Sequence, residues 1–143
     1  MHGVLPAMQR LARELLRRLA DAKVDARVVS GTRSYTEQDA LFQQGRTTPG
    51  DIVTWARAGQ SLHNFAIAVD LGIWRSGHFL EGKTDEEIAL YDRAGEVGKA
   101  IVGLEWGGDW TGKKKDRPHW QLRTGLTLPE LRRRFEKGER LVA

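Results

Sequence analysis

Apolar residues recur between Leu5 and Ala22 at Met8, Leu11, Leu15, Leu16 and Leu19, with Arg10, Arg13, Glu14, Arg17 and Arg18 between them. That spacing puts the apolar set on one stripe and the charges on the other, which predicts an amphipathic helix. A strand over Ala26–Ser30 follows, then a helix from about Thr36 to Gln44, with Thr36 as its cap, acidic residues in its first turn and Gly45 as its stop. Residues 46–62 read as a loop containing a helical turn near Val53–Arg57. From Phe65 to Trp74 the period changes to two: Phe65, Ile67, Val69, Leu71 and Ile73 share one face of a strand, and Ala66, Ala68, Asp70 and Gly72 share the other. A loop containing Gly77 and Gly82 leads to Thr84-Asp85-Glu86-Glu87, a capping box opening a helix to about Val102. The glycine-rich segment 103–118 reaches a short strand in which His119 and Gln121 share one face and Trp120 and Leu122 the other. Thr127-Leu128-Pro129-Glu130 caps a last helix through about Lys137. The expected architecture is α+β: a single domain over residues 1–143, with helices flanking a small antiparallel sheet.

Two places in this pattern carry chemistry. Asp70 lies among small neighbours on its face of the strand, which leaves room for an ion and a bound molecule. His63 sits just before the alternation begins and has the opposite parity, so a turn around Leu62–Asn64 must bring its ring back over the face that Asp70 occupies. Downstream, Pro118 pins the backbone before His119, and Asp116 precedes that histidine by three residues. Two imidazoles and one carboxylate are the ligand set of a catalytic zinc whose fourth position is left to water. Asp116 is the candidate to take a proton from that water and later return it to a leaving amine. Asp109, flanked by Gly107 and Gly108, is the competing carboxylate, but its surroundings suit a turn. His2 and His78 have no nearby carboxylate in a comparable pattern and read as surface residues.

Composition narrows the partners. The chain has 143 residues, enough for an ordinary core, and no cysteine, which excludes disulfides and thiolate zinc sites. No apolar run is long enough to cross a bilayer, and the first helix lacks the pattern of a signal peptide. The formal charge is +4 with a pI near 9.7, concentrated in Arg17-Arg18, Lys113–Lys115 and Arg132–Arg134. Nucleic acid and an anionic cell envelope both suit such a surface. The histidine and aspartate set favours the envelope, since a nucleic-acid module has no use for it.

The Ser61-x-His63-x-x-x-x-Ala68-x-Asp70 element, the Ser30-Gly31-Thr32-Arg33-Ser34 segment and the run from Glu105-Trp106-Gly107-Gly108-Asp109-Trp110 to Asp116-Arg117-Pro118-His119-Trp120 together resemble the VanY-like peptidoglycan peptidases. The resemblance spans about residues 28–123. It implies one Zn2+ per chain on His63, Asp70 and His119, with Asp116 as the catalytic carboxylate and Arg33 holding the scissile carbonyl oxygen. Gln38 and Ser61 are then substrate-side positions, and Ser61 serves equally as an organiser of the turn. The family carries glycine where this chain has Ala66, and a positive φ there would strain alanine. The implied activity is a zinc-dependent L-alanyl-D-glutamate endopeptidase of endolysin type, a monomer made without a signal peptide and acting on the peptide stem of the wall after release by another factor. A D-alanyl-D-alanine carboxypeptidase is the nearest alternative. A non-catalytic wall-binding module and a basic nucleic-acid binder are alternatives of other classes.

Overall fold

The structure is a computed structural model describing residue 1 and residues 3–142; His2, expected at the surface, lies outside the described residues. Helix α1 spans Pro6–Asp21, with proline in its first turn, and buries Met8, Leu15 and Leu19 of the predicted stripe together with Ala12, while Leu11 and Leu16 are half-buried at its edges. Strand β1 (Asp25–Ser30) leads to α2 (Tyr35–Gln43). The cap of α2 is Ser34 and not Thr36: Ser34 Oγ accepts from Glu37 N–H at 3.0 Å, and the Glu37 carboxylate accepts from Ser34 N–H at 3.1 Å. This reciprocal box starts the helix at Tyr35, so Thr36 falls inside the first turn. No helical turn forms at Val53–Arg57; that stretch is irregular, and its polar groups bond to side chains of α2 instead.

The central strand, β2, spans Ala68–Arg75 and begins three residues later than the alternation suggests. Leu62–Phe65 is a 3-10 turn, and Ala66 takes the left-handed conformation at φ 64°. Phe65 and Ile67 are nevertheless fully buried, because a turn can bury apolar side chains as well as a strand can. Ser76 and Gly77 both have positive φ, the signature of a tight two-residue hairpin turn, so His78 opens strand β3 (His78–Leu80) rather than lying in a loop; it is exposed, as expected. Helix α3 runs over Asp85–Gly98, capped by Thr84, and stops short of Val102 because Ile101 turns into the core, where it is 5% exposed, while Val102 points out at 93%. Within the glycine-rich segment lies a strand that the pattern concealed, β4 (Leu104–Trp106), ahead of β5 (His119–Leu122) and α4 (Leu128–Glu136).

The sheet is antiparallel throughout, in the order β1-β2-β5-β4, with β3 paired to β2 beyond the reach of β5. Val69, Leu71 and Ile73 of β2 join Leu15 and Leu19 of α1 and the stacked rings of Trp106 and Trp120 in one continuous core. A Cβ at Gly98 would stand 2.4 Å from the Trp120 ring, so the absence of a side chain there lets α3 lie directly on that indole. Asp70 and His119 point to the other side of the sheet, away from this core, where the His63 turn meets them.

Candidate metal centre

Antiparallel register is what joins two candidates that lie far apart in sequence. Asp70 of β2 pairs directly with His119 of β5, so a single backbone match sets both side chains on the same face of neighbouring strands. His63 arrives from outside the sheet on the 3-10 turn, which the parity argument requires. His63 Nε2 lies 3.2 Å from Asp70 Oδ1 and 3.2 Å from His119 Nδ1, and His119 Nδ1 lies 3.6 Å from Asp70 Oδ1. Nitrogen and oxygen donors on a tetrahedral zinc, at bond lengths of about 2.0 to 2.2 Å, stand about 3.3 to 3.5 Å from one another. The three atoms therefore form one face of a coordination tetrahedron, and the donor set fits a divalent cation.

The outer hydrogen bonds decide which ring nitrogens face inward. His63 Nδ1–H donates to the Gly31 carbonyl at 2.8 Å, leaving Nε2 with its lone pair toward Asp70. On His119 the roles reverse: Nε2–H donates to Gln121 Oε1 at 2.8 Å, and Nδ1 presents the lone pair. Two lone pairs and a carboxylate oxygen converging at these distances repel one another unless a cation or a shared proton sits among them. Burial pushes the Asp70 carboxyl up, but when a shared proton rather than a cation sits among the three groups, hydrogen bonds and charge from His119 and His63 outweigh that and hold it well below the usual carboxylate range.

Arg33 reaches the same centre from the end of β1. Its Nη2 donates to Asp70 Oδ2 at 3.3 Å, on the carboxylate oxygen turned away from the histidines, and its Nη1 donates to Gln38 Oε1 at 3.0 Å. Gln38 is fully buried, and its amide NH2 donates to Ala56 O at 2.8 Å and contacts Thr54 Oγ1 at 3.4 Å. With both ends of its amide engaged inside the protein, Gln38 meets the cleft through Arg33. The Arg33 segment and the His63 turn are stitched together by Arg33 N–H to His63 O at 3.0 Å and Asn64 Nδ2 to Arg33 O at 3.1 Å. Ser61 Oγ accepts from His63 N–H at 3.3 Å, which is the turn-organising use of that hydroxyl.

Asp116 stands on the loop before β5. Its N–H donates to Gly107 O at 3.0 Å, its carbonyl accepts from His119 N–H at 3.2 Å, and the Trp106 indole N–H holds the adjacent Arg117 carbonyl at 2.7 Å. A Cβ at Gly107 would sit 2.4 Å from the Asp116 carbonyl oxygen, so only glycine lets these two segments come so close. Although the residue is open to solvent, crowding of its carboxyl and the charge of Asp70 push it above the usual carboxylate range, against the pull of His119, His63 and Arg33. A raised carboxyl beside the cluster is the environment of a proton acceptor. Asp109 is elsewhere employed: it is half-exposed and ion-paired to Lys99 at 3.1 Å.

His63, Asp70 and His119 converge, and they form the one cluster of metal-binding type among the described residues. Arg33 and Asp116 flank it, Gln38 and Ser61 support it, and His78 stays outside. Sequence reasoning passed over Asn64, which is 1% exposed and accepts from Gly59 N–H at 3.1 Å and Ser61 N–H at 3.3 Å. It also passed over Glu105 and Trp110, which lie behind His119; the shared face of His119 and Gln121 was the available signal for that side.

Residues 55–122, containing all three clustered side chains, match a family profile described as D-alanyl-D-alanine carboxypeptidase. The chain is 35% identical over 127 residues to the peptidoglycan L-alanyl-D-glutamate endopeptidase CwlK of Bacillus subtilis (strain 168), covering 82% of this chain and 72% of that protein. Among solved structures, the L-Ala D-Glu endopeptidase ChiX of Serratia marcescens superposes with a TM-score of 0.52 at 30% identity, covering 84% of this chain and 80% of that one. A point mutant of the vancomycin-resistance D,D-pentapeptidase VanY, in complex with Zn(II), superposes with a TM-score of 0.59 at 16% identity over 96% of this chain and 81% of its own, a likeness of fold. Shared sequence over most of the chain, carried on this sheet and this cluster, means that the protein belongs to the VanY-like zinc peptidase family.

Proposed function

We propose that the protein is a zinc-dependent peptidoglycan endopeptidase that cleaves the bond between L-alanine and D-glutamate in the peptide stem. The observation that carries this reading is the face of three donors, His63 Nε2, Asp70 Oδ1 and His119 Nδ1, at 3.2 to 3.6 Å, with Arg33 and Asp116 on its borders. The relatives CwlK and ChiX, described as endopeptidases of that bond, supply the substrate class. His63, Asp70 and His119 would hold one Zn2+ per chain. Bound there, the ion polarises a carbonyl and lowers the pKa of a water to about 7.

The chain's own groups do the rest. Asp116, its carboxyl raised by crowding and by Asp70, accepts the proton of the attacking water and returns it to the leaving amine of D-glutamate. Arg33 keeps Asp70 oriented with one arm, and its remaining N–H groups stabilise negative charge on the carbonyl oxygen, worth about 3 to 4 kcal/mol for a well-aimed donor. Gln38 aims Arg33, and Ser61 with Asn64 holds the turn that delivers His63. The positive surface, formal charge +4, suits an anionic wall polymer. Action on the wall as a monomer, after release by another factor in the manner of an endolysin, belongs to the same proposal.

The family profile favours one second reading, a D-alanyl-D-alanine carboxypeptidase. Digestion of purified peptidoglycan followed by mass spectrometry separates them. Release of fragments with a new D-glutamyl amino terminus supports the endopeptidase; loss of a single terminal D-alanine supports the carboxypeptidase. A chelator should abolish either reaction and Zn2+ should restore it, and digestion that persists in the stripped protein would refute the metal mechanism.

A further inference from the structure

Behind His119 stands a side-chain chain that no ligand role explains. Glu105 of β4 pairs in register with Gln121 of β5, and its Oε2 accepts from Gln121 Nε2 at 3.1 Å. The same oxygen accepts from the Trp110 indole N–H at 3.1 Å. Both donors touch His119: Gln121 Oε1 accepts from its Nε2–H at 2.8 Å, and the Trp110 ring lies against the imidazole with centroids 4.9 Å apart. The other Glu105 oxygen pairs with Arg123 at 3.3 Å.

We propose that Glu105 determines which nitrogen of His119 carries the hydrogen, and so whether the Nδ1 that faces the metal site is free to bind, acting as a positioning residue through the Gln121 amide with the Trp110 indole holding its carboxylate. The reason is one of donors and acceptors. An ionised carboxylate only accepts, so Gln121 must turn its NH2 toward Glu105 and its oxygen toward His119. That oxygen in turn demands a hydrogen on Nε2, which strips Nδ1 of its hydrogen and leaves a lone pair directed at His63 Nε2 and Asp70 Oδ1. A neutral acceptor and donor at position 105 would remove the constraint. Gln121 could then rotate its amide, present NH2 to Nε2 and move the hydrogen onto Nδ1, where a metal has to bind. His63 needs no such chain, because its Nδ1–H meets a backbone carbonyl that has no second orientation.

This inference rests on the reading of His119 as a metal ligand, and the test separates the two. Glu105→Gln keeps shape while removing the acceptor-only constraint and, with it, the charge that pairs with the exposed Arg123. In the metal-free protein, at a pH where imidazoles are neutral, 15N spectra should show His119 shifting from the Nε2–H toward the Nδ1–H form. Titration with Zn2+ should show affinity falling about 10- to 100-fold. The exchanged pair Glu105→Gln with Gln121→Glu restores an acceptor-only group next to His119, and should recover both the tautomer and most of the affinity. Zn2+ affinity within about threefold of the wild type in E105Q, well short of the usual loss for such a partner, would overturn the proposal. So would an exchanged pair that recovers neither property. Should E105Q fail to fold, the exchanged pair decides alone: Zn2+ affinity close to the wild type supports the inference, and a loss of more than about tenfold refutes it. A wild type that binds no Zn2+ defeats the functional reading instead, while the tautomer still reports on Glu105.

Discussion

The two histidines are held in opposite ways. His63 is set by main chain: its ring bonds to the Gly31 carbonyl, its own carbonyl accepts from Arg33 N–H, and its turn is closed by Asn64 and Ser61. His119 is set by side chains on a strand whose position the sheet dictates, with Gln121, Glu105 and Trp110 fixing the ring. Backbone acceptors cannot rotate, so the His63 side fails only if its loop changes shape. The His119 side keeps its place through many substitutions but loses the metal-binding tautomer with one.

Removing either ligand should have the largest effect and should not distinguish the sides. His63→Ala and His119→Ala should each lower Zn2+ affinity by more than the roughly 10- to 100-fold expected of an outer partner, with hydrolysis lost in proportion; isothermal titration and wall digestion measure both. Asp116→Asn comes next, with turnover down about 10²- to 10⁴-fold at unchanged zinc content. A large loss of metal in that variant would make Asp116 part of the ligand frame. On the His63 side, Asn64→Ala leaves the buried Gly59 N–H and the half-buried Ser61 N–H without their acceptor. It should cost about 2 to 3 kcal/mol, a fall in thermal midpoint of roughly 5 to 10 °C for a chain of this size, together with weaker zinc binding. An affinity untouched by this loosening would break the contrast between the two sides.

Two smaller effects sharpen it. The Asp70 carboxyl is held below its unfolded value, so its contribution to stability is full above about pH 4 and is lost as pH falls through the range beneath. Thermal melts of the metal-free protein between about pH 5 and pH 2 should therefore fall more steeply for the wild type than for Asp70→Asn. A parallel fall would mean that the cluster does not hold the carboxylate in its charged form. Ala66 sits at φ 64° just after the His63 turn, where a left-handed alanine costs about 1 to 2 kcal/mol and glycine costs little beyond its unfolded-state entropy. Ala66→Gly should raise the midpoint by about 1 to 3 °C, and a lowered midpoint would show that the strain is absorbed elsewhere.

Much of the centre was readable from one dimension. Alternation around Asp70, a histidine of opposite parity before it and a proline-pinned histidine downstream named three candidate ligands that the fold brings together, and the Leu5–Ala22 periodicity named most of the buried face of α1. Such patterns are local consequences of 2.0 and 3.6 residue periods, and local patterns survive in sequence. What lay beyond reach depended on register. Nothing local says that Asp70 faces His119 or that Glu105 faces Gln121, because cross-strand partners are chosen by the whole sheet. The same holds for the buried Gln38: five residues after Arg33, it reads as a substrate-side position through the family resemblance, and only the packing of the irregular 51–57 segment over α2 turns it inward. The sequence by itself determined which groups this protein can offer a metal and a proton; tertiary structure decided which atoms of those groups meet, since a hydrogen bond made behind a ring is a fact about neighbours distant along the chain.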